Sequence, residues 1–118
     1  DSALAISTIA ALDDQLSFNG GVHRYLADVF YGGGQWPLLS CFLGLAKAAV
    51  GDGAGARALL EWAASTATSD GMLPEQVDRH LLFPEHRDEW ITRWGTVATP
   101  LLWSHAMLLR LAAEMGEQ

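Results

Sequence analysis

The stretch GMLPEQV, residues 71–77, sets one carboxylate, Glu75, behind a proline and between the apolar side chains of Leu73 and Val77. Pro74 restricts the backbone, and apolar neighbours can strip water from the acid. A carboxylate in that setting can act as a general base toward a water molecule. Gln76, next in the chain, can donate and accept hydrogen bonds to a polar ligand. Glu75 is therefore the candidate catalytic residue and Gln76 a candidate binding residue.

A second group occupies residues 23–37, HRYLADVFYGGGQWP, which supplies Arg24, Tyr25, Asp28, Tyr31 and Trp36. Flat aromatic faces cover the apolar C–H side of a sugar ring, while charged and amide groups take its hydroxyls. The glycines at 32–34 permit close backbone approach to a ligand. They are not a phosphate loop, because no Gly-Lys-Ser/Thr follows and no strand precedes them. A third group is TPLLWSHA, residues 99–106. Trp103, one turn into a helix, offers another aromatic platform. Ser104 and His105 are adjacent, so on a helix they point about 100° apart and make a poor nucleophile pair. A core or supporting role suits His105 better. The single Cys41 lies in an apolar run and reads as buried filler. His23, His80, His86 and His105 show no HxxxH or HExxH spacing, so neither a metal nor a cofactor is expected.

Four helical patterns must position these residues. They run from Ser2, a possible cap, to Leu16; from Pro37 to Gly51; from Gly53 to Thr68; and from Thr99-Pro100, a cap and first-turn proline, to Met115. The first carries the stripe Ile6, Ile9, Leu12, Leu16. The second is apolar on all sides except Lys47, which predicts burial on several faces. Leu59, Leu60, Ala63 and Ala67 of the third face inward, as do Leu101, His105, Leu108 and Ala112 of the fourth. No strand alternation of useful length occurs, so the fold class is all-α. Two long connections, Ser17 to Trp36 and Ser69 to Ala98, contrast with the short Gly51-Asp52-Gly53 turn. Alternating helix directions bring both long connections to one end, where the second and fourth helices also start. All the candidate residues then gather on one rim, above a rigid base.

The 118 residues suffice for one small domain, and the chain reads as a single segment, 1–118. Half of them are hydrophobic and only 18% are charged, which is apolar for so short a chain. The chain also starts Asp1-Ser2-Ala3, without Met or a basic leader. Both features are expected of a piece of a larger soluble protein whose remaining polypeptide covers the bare apolar faces. A net charge of −7 argues against nucleic acid and against an anionic membrane surface. No apolar run approaches a membrane span. No feature assigns a compartment, the cytoplasm being the first choice.

Taken in order, RYLADVFYGGGQWP, DGMLPEQV and ATPLLWSHA resemble the C-terminal part of the catalytic domain of glycoside hydrolase family 15, the glucoamylase and glucodextranase family that also holds some trehalases. Arg24 and Trp36 keep that family's spacing, Glu75-Gln76 matches its Glu-Gln pair, and Trp103-Ser104-His105-Ala106 matches its Trp-Ser-aromatic-Ala helix start. The resemblance implies helical hairpins forming about the last third of an (α/α)6 toroid. It implies that Glu75 is the general base of an inverting hydrolysis of α-glucosidic bonds in a glucan or oligosaccharide. Arg24 would bond sugar hydroxyls, Trp36 and Trp103 would shape the pocket, and Tyr25 and Asp28 would support Arg24. The general acid would lie upstream, in the missing N-terminal part of the polypeptide. Glu85, Asp88 and Glu89 sit in a charged loop too close in chain to replace it. Phe30 stands where many members have tyrosine, and Thr96 stands in for a serine that bonds the base. A trehalase of the same family, a non-catalytic helical interaction module, and a free-standing helical domain that oligomerises remain open as alternatives.

Overall fold

The apolar periodicity becomes helix over most of its length. In the computed structural model, which describes residues 2–116, five helices follow in order: α1 (Ser2–Leu16), α2 (Pro37–Ala49), α3 (Gly53–Ser65), α4 (Arg87–Trp94) and α5 (Leu102–Glu114). A two-residue hairpin, β1 (Ser17–Phe18) antiparallel to β2 (Gly21–Val22), is the only strand pair among the described residues. The all-α class holds.

The helix ends follow local chemistry. Ser2 is already helical and is the first residue of α1 rather than its cap. Pro37 opens α2 after an extended Trp36, where its missing N–H costs nothing. The Asp52 side chain accepts the Gly55 N–H at 2.9 Å and caps α3. That helix stops at Ser65 rather than Thr68, which leaves Ala67 exposed instead of inward. The last helix begins at Leu102, not Thr99: the Thr99–Pro100 peptide is cis and Leu101 is extended, so Pro100 belongs to the leader. Helix α4 lies inside the second long connection; its eight residues, with three apolar side chains, carry too short a stripe to announce a helix.

Helix α2 is the central element. Its Leu38 and Cys41 pack with Leu60 and Ala63 of α3 and with Met107 and Leu111 of α5. On another side its Leu43 packs with Leu59 and Val22, against which Ile9 and Leu16 of α1 lean. Burial pushes the Cys41 thiol up to about 12, as befits filler. Gly44 lets α5 approach: a Cβ there would stand 2.7 Å from Leu111 Cδ2. The buried line of α5 is Ser104, Met107 and Leu111; the expected stripe of Leu101, His105, Leu108 and Ala112 flanks it, half-buried. Helix α1 has no fully buried residue, and its Leu4, Ile6 and Leu12 are exposed, as are Leu102 and Leu109 of α5. Lys47 Nζ reaches Asp13 Oδ2 at 2.6 Å and ties α1 to α2. No helix among the described residues is long and apolar enough to cross a membrane.

Trp36 and Leu101, the residues preceding α2 and α5, both pack on the shared core. The two long connections meet at that end and are stitched by main-chain bonds. Gln35 and Val77 exchange N–H···O bonds of 3.1 and 2.9 Å, and Phe83 N–H donates to Gly32 O at 2.9 Å.

Candidate active site

The turn bearing Glu75 is held from two directions. Behind it stand α5 and its leader. Leu101 N–H donates to Leu73 O at 2.9 Å, Ser104 Oγ donates to Pro74 O at 2.9 Å, and Glu75 N–H donates to Ala98 O at 2.9 Å. His105 Nε2 accepts the Leu73 N–H at 2.9 Å. At its side stands the first long connection. Gly34 N–H donates to Gln76 Oε1 at 3.1 Å, and Gln76 Nε2 donates to Glu75 Oε1 at 3.0 Å. Gln76 is buried, and its amide forms a strut between glycine run and carboxylate. Glu75 itself is half-buried.

Arg24, Tyr25, Asp28, Phe30 and Trp36 form one cluster. Asp28, 1% exposed, accepts Arg24 Nε at 3.0 Å and Arg24 Nη2 at 2.9 Å, and also takes the Phe30 N–H at 3.1 Å. The last bond, from a carboxylate to the N–H two residues on, is an Asx-turn that shapes the loop. The guanidinium lies 5.3 Å from the Tyr25 ring, 5.2 Å from Phe30 and 5.0 Å from Trp36. It is thus clamped by charge on one edge and by π faces around it. Asp28 raises the Arg24 pKa by hydrogen bonding, partial burial opposes this, and the charges of Asp28, Tyr25 and Glu75 raise it further. Glu75, on the other connection, contributes the smallest of these effects.

Trp36 is half-buried under Arg24, and its indole N–H is buried without a partner among the described residues. Trp103 stands apart from this cluster. It is 56% exposed and meets Phe42 edge-on, with ring centroids 5.9 Å apart. Thr96 does not bond Glu75; it lines a neighbouring cleft of about 250 Å³ with Tyr31, Gln76, Arg87 and Val97. The carboxylate takes Gln76 as its partner instead.

Further contacts at this end of the fold join residues far apart in the chain. Tyr31, in the left-handed region at φ 51, donates its hydroxyl to Gly95 O at 2.8 Å and links the connections again. His23 Nδ1 lies 3.0 and 3.1 Å from the carbonyls of Gly33 and Gly34, and carbonyls only accept, so this nitrogen carries the proton. His23 Nε2 then accepts from His80 Nδ1 at 2.8 Å. No local pattern announces a pair so distant in chain.

No protein-family model matches the chain. Over 116 residues it is 60% identical to an isomaltose glucohydrolase of Kribbella flavida, covering 98% of this chain and 30% of that protein. Its relatives are glycosidases. Among solved structures, a wild-type glycosidase superposes with a TM-score of 0.93 at 61% identity, covering 94% of this chain and 30% of that one. A glutamate-to-alanine variant of a glycosidase in complex with glucose matches with the same TM-score at 60% identity. A phenylalanine-to-tyrosine variant does likewise. The chain thus spans 30% of the length of each protein it matches.

Proposed function

We propose that this chain is the base-bearing segment of an inverting glycoside hydrolase of family 15, within the last third of an (α/α)6 toroid, acting on α-glucosidic bonds. The observation that supports the reading is the link between two connections from different parts of the chain: Gly34, ten residues after Arg24, bonds the Gln76 amide, and that amide bonds Glu75. Identity to an isomaltose glucohydrolase supports the substrate class, an isomaltose-like glucoside. Spacing supports the residue assignment. The altered phenylalanine and the altered glutamate of the solved glycosidase variants stand as far apart in their chain as Phe30 and Glu75 stand here.

The chemistry follows from the groups. Glu75 takes a proton from a water as that water's oxygen bonds the anomeric carbon on the face opposite the leaving group. The glycosidic C–O bond breaks, and a carboxylic acid across the cleft protonates the departing oxygen. The two carboxyls of such an enzyme lie about 6.5–9.5 Å apart to admit the water. The acid belongs to the upstream polypeptide. A second glutamate-to-alanine variant among the solved relatives alters a position farther ahead of the first than this chain extends ahead of Glu75, which supports that assignment. Of the guanidinium's five N–H groups, two are spent on Asp28, leaving three for sugar hydroxyls. Tyr25 and Trp36 hold that guanidinium and wall the site, and exposed Trp103 is a platform beyond it.

Glu75→Gln in the full-length protein tests the reading. The fold should persist, and turnover of isomaltose should fall by roughly 10²–10⁴-fold, the span general-base loss commands. Glucose freed from the non-reducing unit should first appear as the β anomer by proton NMR, in excess of its equilibrium share. An unchanged rate, or an initial excess of the α anomer, would sink the proposal. The isolated 118-residue segment should show no hydrolysis in the same assay.

A further inference from the structure

Helix α5 does more than close the core. Its first turns, with their leader, take up the polar backbone groups of the residues that lead into Glu75. The Leu73 carbonyl receives the Leu101 N–H, the Pro74 carbonyl receives the Ser104 hydroxyl, and the Glu75 N–H goes to Ala98 O. Pro74 has no N–H to place. The Leu73 N–H goes to a side chain, the imidazole of His105, at 2.9 Å. Leu73 is 2% exposed and Ser104 fully buried, so water cannot readily substitute for either bond. An amide N–H can only donate, so His105 Nε2 is unprotonated here and its ring proton sits on Nδ1.

We propose that His105 is a positioning residue for Glu75: as an obligate acceptor for the Leu73 amide it fixes the height of the turn, and with it the placement of the carboxylate two residues on. The inference rests on the reading of Glu75 as the base. His105 touches neither the carboxylate nor Gln76; it acts through two residues of backbone. Ser104 sets the second anchor of the same turn. The pair on one helix start thus has a use, though not as a nucleophile and base.

The test uses the full-length enzyme with isomaltose and three variants. His105→Leu keeps bulk and removes the acceptor, His105→Gln restores an acceptor oxygen at similar reach, and Glu75→Gln is the reference. The expectation is a kcat reduced about 10–100-fold in His105→Leu, the cost of a base displaced by an ångström or less, with KM little changed. His105→Gln should recover most of the rate. A purely structural role predicts a lower melting temperature with kcat per folded molecule intact. The proposal is overturned if His105→Leu turns over normally while Glu75→Gln is inactive, or if the folded Leu and Gln variants are equally slow. An active Glu75→Gln would instead remove the base reading on which it stands. Should His105→Leu fail to fold, His105→Ala with added imidazole makes the same comparison: recovery of kcat supports the anchor, and its absence in folded protein refutes it.

Discussion

Gly34→Ala is the substitution whose outcome the geometry constrains most tightly. A Cβ on Gly34 would stand 2.6 Å from Val77 O and 2.7 Å from Gln76 Oε1. Ordinary contact needs about 3.4 Å, so the two connections must part by roughly 0.8 Å to admit one methyl group. The bonds that join them there are Gly34 N–H to Gln76 Oε1 at 3.1 Å and the Gln35–Val77 pair at 3.1 and 2.9 Å. Overpacking of this kind costs about 1–3 kcal/mol, and one or two weakened hydrogen bonds add about 1 kcal/mol each, so a loss of about 2–5 kcal/mol is expected. Gln76 is the strut to Glu75, so the shift passes to the carboxylate. A displacement of that size lowers kcat by about 10–100-fold. Calorimetric melting and initial rates on isomaltose, both on full-length protein, measure the two effects. Gly53→Ala is the control: nothing lies within 4 Å of its Cβ, at the first position of α3, and no positive φ is involved. That variant should match or slightly exceed the parent in stability. If Gly34→Ala melts and turns over like the parent, the stitching between the connections does not hold Glu75, and the account of the site is wrong.

Two further outcomes are expected. Asp28→Asn keeps shape but gives one of the Arg24 donors an N–H to face. Because Asp28 is buried while Arg24 is 37% exposed and can rehydrate, the cost should stay near 2 kcal/mol, with KM raised about 10-fold as the guanidinium loses its aim; an unchanged KM would separate Arg24 from substrate. His23 has its pKa lowered from 6.5, chiefly by burial, with the His80 charge adding to this and the Gly33 and Gly34 carbonyls and Asp28 opposing. A base depressed in the folded state takes protons first in the unfolded one, so stability drains as pH falls through 6.5 toward the folded value. Melting temperature should drop more steeply between about pH 7.5 and pH 5.5 in the parent than in His23→Gln, and parallel curves would contradict this.

From the residues alone one could read the helical class, the start of α2 at Pro37 and the start of α3 at Gly53, which the structure explains by an Asp52 cap. These signals are local: periodicity, a proline without an N–H, and a carboxylate within reach of the third N–H along. The meeting of the two long connections followed from helix alternation, which needs only chain order and loop length. The Asx-turn at Asp28 was equally local, written two residues from its partner.

What the chain order could not reveal was how the acid is held. That Gln76 is also a strut could not be read, because Gly34 lies 42 positions away and only the packed fold brings its N–H to the amide. Thr96 looked like the partner of the base, yet its segment turns toward the cleft. His105 sits half-buried on a flank of its helix, and its use appeared only when a distant amide arrived at its ring nitrogen. Helix α4, too short to show a stripe, is specified by contacts: its Trp90 meets Phe30 and Tyr31. Hydrogen bonds across long loops obey distance and direction in space, and a sequence records neither; periodicity and capping act within one or two turns, and there the residues suffice.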